Sequence, residues 1–147
     1  MRALSFAVLL TAACLALALP ARPAAGADKD DLQGLWVATS IEINGELAPA
    51  REVKRTRFTF KGDKLLIRGA KDDGREVECA YKIGTDKAPK QIDIVAKDKT
   101  LAGIYEFKRD ELKICFENGG KAENRPKQFA TNREEERVLI VFKRQKP

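Results

Sequence analysis

Residues 31–46 read DLQGLWVATSIEINGE. A short acidic stretch delivers Gly34, one spacer and the protein's only tryptophan, Trp36, into an apolar run that stops at Asn44-Gly45. Asn-Gly tolerates the positive φ of a tight reversal, so 35–43 is predicted to be a strand that ends in a turn. Its parity stays open. The odd face offers Leu35, Val37, Ile41 and Ile43, while the even face offers Trp36 and Ala38.

The same pattern repeats toward the C-terminus. Short alternating runs at 57–61, 64–68, 76–83, 91–96, 101–107, 112–116 and 138–144 are separated by Gly62-Asp63, Asp73-Gly74 and the polar stretch 108–111, and none contains proline. Alternation with period two predicts an antiparallel all-β domain. Eight strands with mostly short connections fit an up-and-down barrel, whose closure removes exposed edges; a β-sandwich is the rival. Helix content should be small. PAREVKR, 49–55, is the best candidate, because proline suits a first helical position.

The first 27 residues have a different character. Arg2 precedes an apolar run, Ala3 to Leu19, which Pro20 ends, and Ala25-Gly26-Ala27 supplies a small-x-small cleavage pattern. This is the anatomy of a secretory signal, with cleavage expected before Asp28 and an extracytoplasmic destination, periplasmic or secreted. An uncleaved membrane anchor is the alternative, and after cleavage no stable membrane span is expected. A lipoprotein cut before Cys14 fits less well, since Thr11 stands where leucine is usual. Residues 28–147 then form one domain, with 26 basic against 22 acidic residues, a net charge of +4. Mixed charge of this kind describes a solvated surface, and no nucleic-acid partner is expected.

Histidine is absent. With it go the Ser-His and Cys-His mechanisms and the commonest metal ligand, so no catalytic residue, metal or cofactor is expected. DKDDLQG, 28–34, fails as a calcium loop because Leu32 and Gln33 fall where a ligand and a glycine are required. REEER, 133–137, reads as a solvated charge run rather than a working carboxylate pair. Cys79 shares a face with Val77, Tyr81 and Ile83, whereas Cys115 falls opposite Leu112, Ile114 and Phe116. Opposite phasing argues against a disulfide between them.

In an up-and-down barrel the first strand starts where the eighth ends. The turn DKDDLQG would therefore cross the barrel base, with Trp36 as an apolar plug and Lys143 or Arg144 within reach of its ring. Gly34 lets the chain turn sharply into the strand. Gly34-x-Trp36, with a basic residue closing the last strand, resembles the signature of the lipocalin and calycin superfamily. LQGLW, TFKGDKL, AGIYEF, ELKICF, RPKQF and VLIVFKR together resemble a family of small exported lipocalin-like domains abundant in planctomycete bacteria, over about residues 31–145. That resemblance implies the barrel and is silent on activity. Lipocalins usually carry a long helix after the last strand, and here the sequence stops at Pro147.

The functional expectation is an exported, non-catalytic binding module for a small apolar or amphipathic ligand. The alternative is a cell-envelope structural or interaction protein with a filled barrel, whose partner is another macromolecule. The mouth, opposite Trp36, should collect residues 44–56, 70–75, 97–100 and 117–137. Arg51, Lys54, Arg55 and Arg57, with Glu52 among them, would guide an anionic headgroup, or simply solubilise the rim. Tyr81 and Tyr105 would offer hydroxyls inside a cavity, or serve packing. Phe58, Phe60, Ile83, Ile92, Phe107 and Phe116 are bulky enough to fill much of an eight-stranded interior. Residues 117–137 are expected to fold over the mouth as a flap. Asn118 to Glu123 should be mobile, Phe129 buried, and Arg125 bonded to neighbouring carbonyls or carboxylates.

Overall fold

Alternating residues turn one face of every run toward a common interior in the computed structural model, which describes residues 24–69 and 73–147. Residues 1–23, and with them most of the expected leader, lie outside the described residues, as does part of the 70–75 connection. A helix α1 (Ala24–Leu32) leads into β1 (Gly34–Ile43). A two-residue strand β2 (Glu46–Leu47) and a short helix α2 (Ala50–Arg55) follow. Then come β3 (Arg57–Lys61), β4 (Lys64–Arg68), β5 (Glu76–Gly84), β6 (Lys90–Val95), β7 (Thr100–Lys108), β8 (Glu111–Glu117) and β9 (Arg137–Gln145).

Every neighbouring pair is antiparallel, in the order β1-β3-β4-β5-β6-β7-β8-β9, and β9 returns to pair with β1. The result is the closed eight-stranded up-and-down barrel, with β2 as a ninth strand appended to β1. Closure leaves no open edge in the main ladder for another chain to extend. The expected strands all occur, within a residue or so at each end. Two helical features depart from expectation. The stretch 28–32 is the second half of a helix rather than a turn, and the expected cleavage point before Asp28 falls inside it. Pro49 stands just outside α2, in extended conformation, instead of opening it.

The open parity of β1 has a structural answer. Trp36 pairs with Arg144 and Ala38 with Phe142, but Ser40 pairs with Val141 and Ile41 with Ile140, so the register slips by one at Thr39. A bulge of this kind switches which alternate residues face inward. Trp36 and Ala38 point into the barrel below it, and Ile41 above it; all three are buried. Both faces of the sequence pattern are thus correct, each for half of the strand.

The interior is filled from the base upward. Trp36, Phe60, Leu65, Ile92, Ile94, Tyr105, Leu112, Ile114 and Phe142 are at most 1% exposed. Phe58 meets Phe142 at 4.7 Å between ring centroids, and Phe60 meets Tyr81 edge-on at 4.9 Å. Phe116 is also buried, while Ile83 and Phe107 are half-buried and pack against the same cluster.

Candidate functional site

The base of the barrel is closed by α1. Leu32 is fully buried, and its carbonyl accepts a hydrogen bond from Trp36 Nε1 at 2.8 Å. The Arg144 guanidinium lies 4.2 Å from the centre of the Trp36 ring and donates to the carbonyls of Gln33 (2.9 Å) and Asp31. Arg144 therefore stacks on the plug and holds the carbonyl end of the helix, where a cation is favourable. Gly34 has φ +115°, and a Cβ there would meet Arg144 Nη1 at 3.6 Å. These three residues meet at the base: Gly34 permits the bend, Trp36 plugs and Arg144 clamps. Lys143 is exposed and pairs with Val37, so it takes no part.

Both tyrosines belong to this base rather than to a ligand cavity, which corrects the expectation for Tyr81 and Tyr105. Tyr81 Oη donates to the Gly62 carbonyl at 2.8 Å and accepts from Gln33 Nε2 at 3.1 Å. Tyr105 Oη donates to Asp28 Oδ2 at 2.6 Å, and Lys90 Nζ reaches the same oxygen at 2.8 Å. Asp28 is buried, so its carboxylate is satisfied by a phenol and an ammonium at the start of the cap. A reading of 28–34 as a turn does not reveal this, because the three partners come from α1, β6 and β7.

Burial, then the Asp28 hydrogen bond, pushes the Tyr105 hydroxyl far above the ordinary tyrosine value. The folded state thus prefers the protonated phenol. This preference is fully present below the unfolded pKa of about 10 and is lost as pH rises beyond it. On alkaline titration followed by tyrosinate absorbance, Tyr105 should stay protonated until the protein unfolds. Two tyrosines ionising reversibly near pH 10 in folded protein would contradict the buried Asp28 contact.

The opposite end is less tightly closed. α2 bridges the gap where β1 leaves β3 and buries Val53, and Thr56 Oγ1 donates to the Glu52 carbonyl at 3.0 Å. Inward positions near the rim are partly open: Val77 is 47% and Ile43 41% exposed, and Ile67 and Leu101 are half-buried. Arg51, Lys54, Arg55 and Arg57 are all exposed around this end, as expected. Lys54, Arg55 and Arg57 line one groove of about 460 Å³, together with Arg68 and Asp73. Arg51 lies outside it. Arg68 was not singled out from the sequence, because only the strand register sets it directly opposite Arg57.

The long connection after β8 does not cover the mouth. It lies against the outer wall, where Ala102, Ile104 and Cys115, on the outward faces of β7 and β8, are buried. Cys115 Sγ donates weakly to the Ala130 carbonyl at 3.8 Å. Arg125 behaves as expected, donating to the Gly103 carbonyl at 2.8 Å and pairing with Asp93 at 2.7 Å. The buried anchor beside it is Pro126, whereas Phe129, expected to be buried, is only half-buried. The segment expected to be mobile is tied at its start. The buried Glu117 carboxylate accepts from the amides of Gly119 (2.8 Å) and Lys121 (2.7 Å). At the far end Thr131 Oγ1 donates to Glu42 and accepts from the Gly45 amide, fastening the strap to the first hairpin. In REEER, Glu135 pairs with Arg137 at 2.7 Å.

Cys79 faces the interior and Cys115 the outer wall, and both are free thiols. Burial pushes both thiols above their ordinary range, away from the reactive thiolate. No group of three or more acidic or sulfur ligands converges on a metal-sized site among the described residues. Set against protein-family models, curated proteins and solved structures, the sequence and its fold match none.

Proposed function

We propose that the chain is an exported, lipocalin-like, non-catalytic binding module that takes a small apolar or amphipathic molecule at the mouth of the barrel. The observation that carries this reading is the gradient of packing along the interior. Trp36, Phe60 and Tyr105 at the base are at most 1% exposed, whereas Val77 and Ile43, facing inward at the rim, keep two-fifths or more of their surface. Apolar side chains left open at the end of a concave scaffold are what a ligand of matching chemistry would cover. The site is shallow, since the rings of Trp36, Phe58, Phe60, Tyr81 and Phe142 occupy the volume below. The same filled lower barrel favours the second reading, an envelope interaction protein that uses its surface alone.

A neutral naphthylamine fluorophore separates the two. The first reading expects a saturable rise in emission, weakened about tenfold by Val77→Asp, which places a charge in the mouth. Tyr81→Phe, at the base, should leave the affinity unchanged. Absence of saturable binding, or equal affinity in Val77→Asp, would leave the surface-only reading.

A further inference from the structure

Four cations crowd one groove beside the mouth. Lys54 and Arg55 enter from the last turn of α2, Arg57 from the start of β3 and Arg68 from the end of β4. Asp73, in the turn after β4, is the one acid lining it among the described residues. Among the described residues none of the four basic side chains makes an ion pair. Glu76 is the cross-strand partner of Arg68 on its other side, yet it makes no ion pair with Arg68 and does not line the groove.

A solvated basic rim accounts for part of this. Lys54 and Arg55 close a helix, where cations suit the carbonyl end. It does not account for Arg57 and Arg68. They are direct cross-strand partners on the outward face, and like charges in that position repel. Nor does it account for Arg68 Nε, which is buried and has no hydrogen-bond partner. A buried N–H donor is normally satisfied, and here it belongs to a half-buried guanidinium that other cations surround.

We infer that this groove is a binding site for a phosphoryl group, with Arg57 and Arg68 as its paired clamps and Lys54 and Arg55 as flanking charges. A dianion between the two guanidiniums turns their repulsion into a shared attraction. A tetrahedral oxyanion also supplies acceptors in the number and spread that planar Arg forks require. A groove of about 460 Å³ holds a phosphoryl group with part of the molecule that carries it. The site is separate from the apolar mouth, and its occupancy does not depend on the reading proposed above.

Isothermal titration of the full chain with inorganic phosphate at low ionic strength tests it. The expected result is saturable one-to-one binding, weakened about tenfold or more by Arg68→Gln and by Arg57→Gln. Lys82→Gln, at an exposed position on β5 outside the groove, should leave it unchanged. Arg57 is exposed, so its variant keeps the test decisive if Arg68→Gln fails to fold. Sedimentation with phosphatidylglycerol vesicles, against phosphatidylcholine, separates the sources. Vesicle binding that phosphate displaces places the group on a lipid, and phosphate binding without vesicle binding places it on a soluble compound. No saturable phosphate binding, or equal weakening by Lys82→Gln, would overturn the inference.

Discussion

Trp36→Ala should lower the stability of the domain by about 3–5 kcal/mol, the range expected when a large aromatic ring is removed from a packed interior. Trp36 is fully buried and joins three parts of the base at once. Its ring packs in the core beside Phe58, its cross-strand partner, its face carries the Arg144 guanidinium, and its Nε1 holds the last carbonyl of α1. Alanine removes the ring volume, leaves the Leu32 carbonyl without its donor and frees Arg144 from its platform. Much of the loss should therefore appear as undocking of α1. Denaturant unfolding followed by circular dichroism is the suitable measurement, since the only tryptophan is the residue removed. A loss below about 1 kcal/mol would mean that the base closes without its plug, and the account of Gly34, Trp36 and Arg144 would fail with it.

The strands were readable because a half-buried strand writes its burial into every second residue, and turn residues mark where it stops. That is why 57–61 and 64–68 emerge from the sequence with their bounds intact. β1 resisted for a definite reason: one inserted residue at Thr39 reverses the parity, and no single alternation can describe both halves. α1 was unreadable because little in it looks amphipathic. Leu32 is its one large buried apolar residue, and the helix is held by bonds to its carbonyl end from Trp36 and Arg144, which lie elsewhere in the chain.

The site residues divide in the same way. Arg51, Lys54, Arg55 and Arg57 are near neighbours in sequence, so their clustering could be read directly. Arg68 joins three of them only through strand pairing, and the hydroxyls of Tyr81 and Tyr105 serve the base rather than a cavity, which alternation does not show because it gives the face of a strand and not the height of a hydroxyl along the barrel. For the strap, the stiff Arg125-Pro126 pair was the informative signal. Phe129, the larger apolar residue, was the weaker one, since a proline already fixed in φ is buried at little conformational cost.

The same wall supplies the second large effect. Gly103 sits in the middle of β7, where glycine is ordinarily the poorer choice. Replacing it by alanine in a compatible conformation should stabilise a protein by roughly 0.4–1 kcal/mol, mainly by restricting the unfolded chain. Here the expected sign is reversed. A Cβ at Gly103 would stand 2.7 Å from the Cys115 carbonyl oxygen and 2.9 Å from Phe116 Cβ. The first of these is backbone of the adjacent strand and cannot rotate away, so β7 and β8 must separate, or Phe116 must leave its place in the core. Overpacking of this kind typically costs about 1–3 kcal/mol. The Gly103 carbonyl also accepts from Arg125, so a displaced β7 loosens the strap outside as well as the core inside. Gly103→Ala should accordingly unfold at lower denaturant and be cut faster by trypsin at the exposed Lys127 and Arg133, whereas Gly62→Ala, strained by its φ of +60° but with nothing within 4 Å of the added Cβ, should not speed cleavage there. A Gly103→Ala protein as stable as the parent, with an unchanged cleavage pattern, would mean that the two strands are not held at this spacing and that the strap is not fastened through β7.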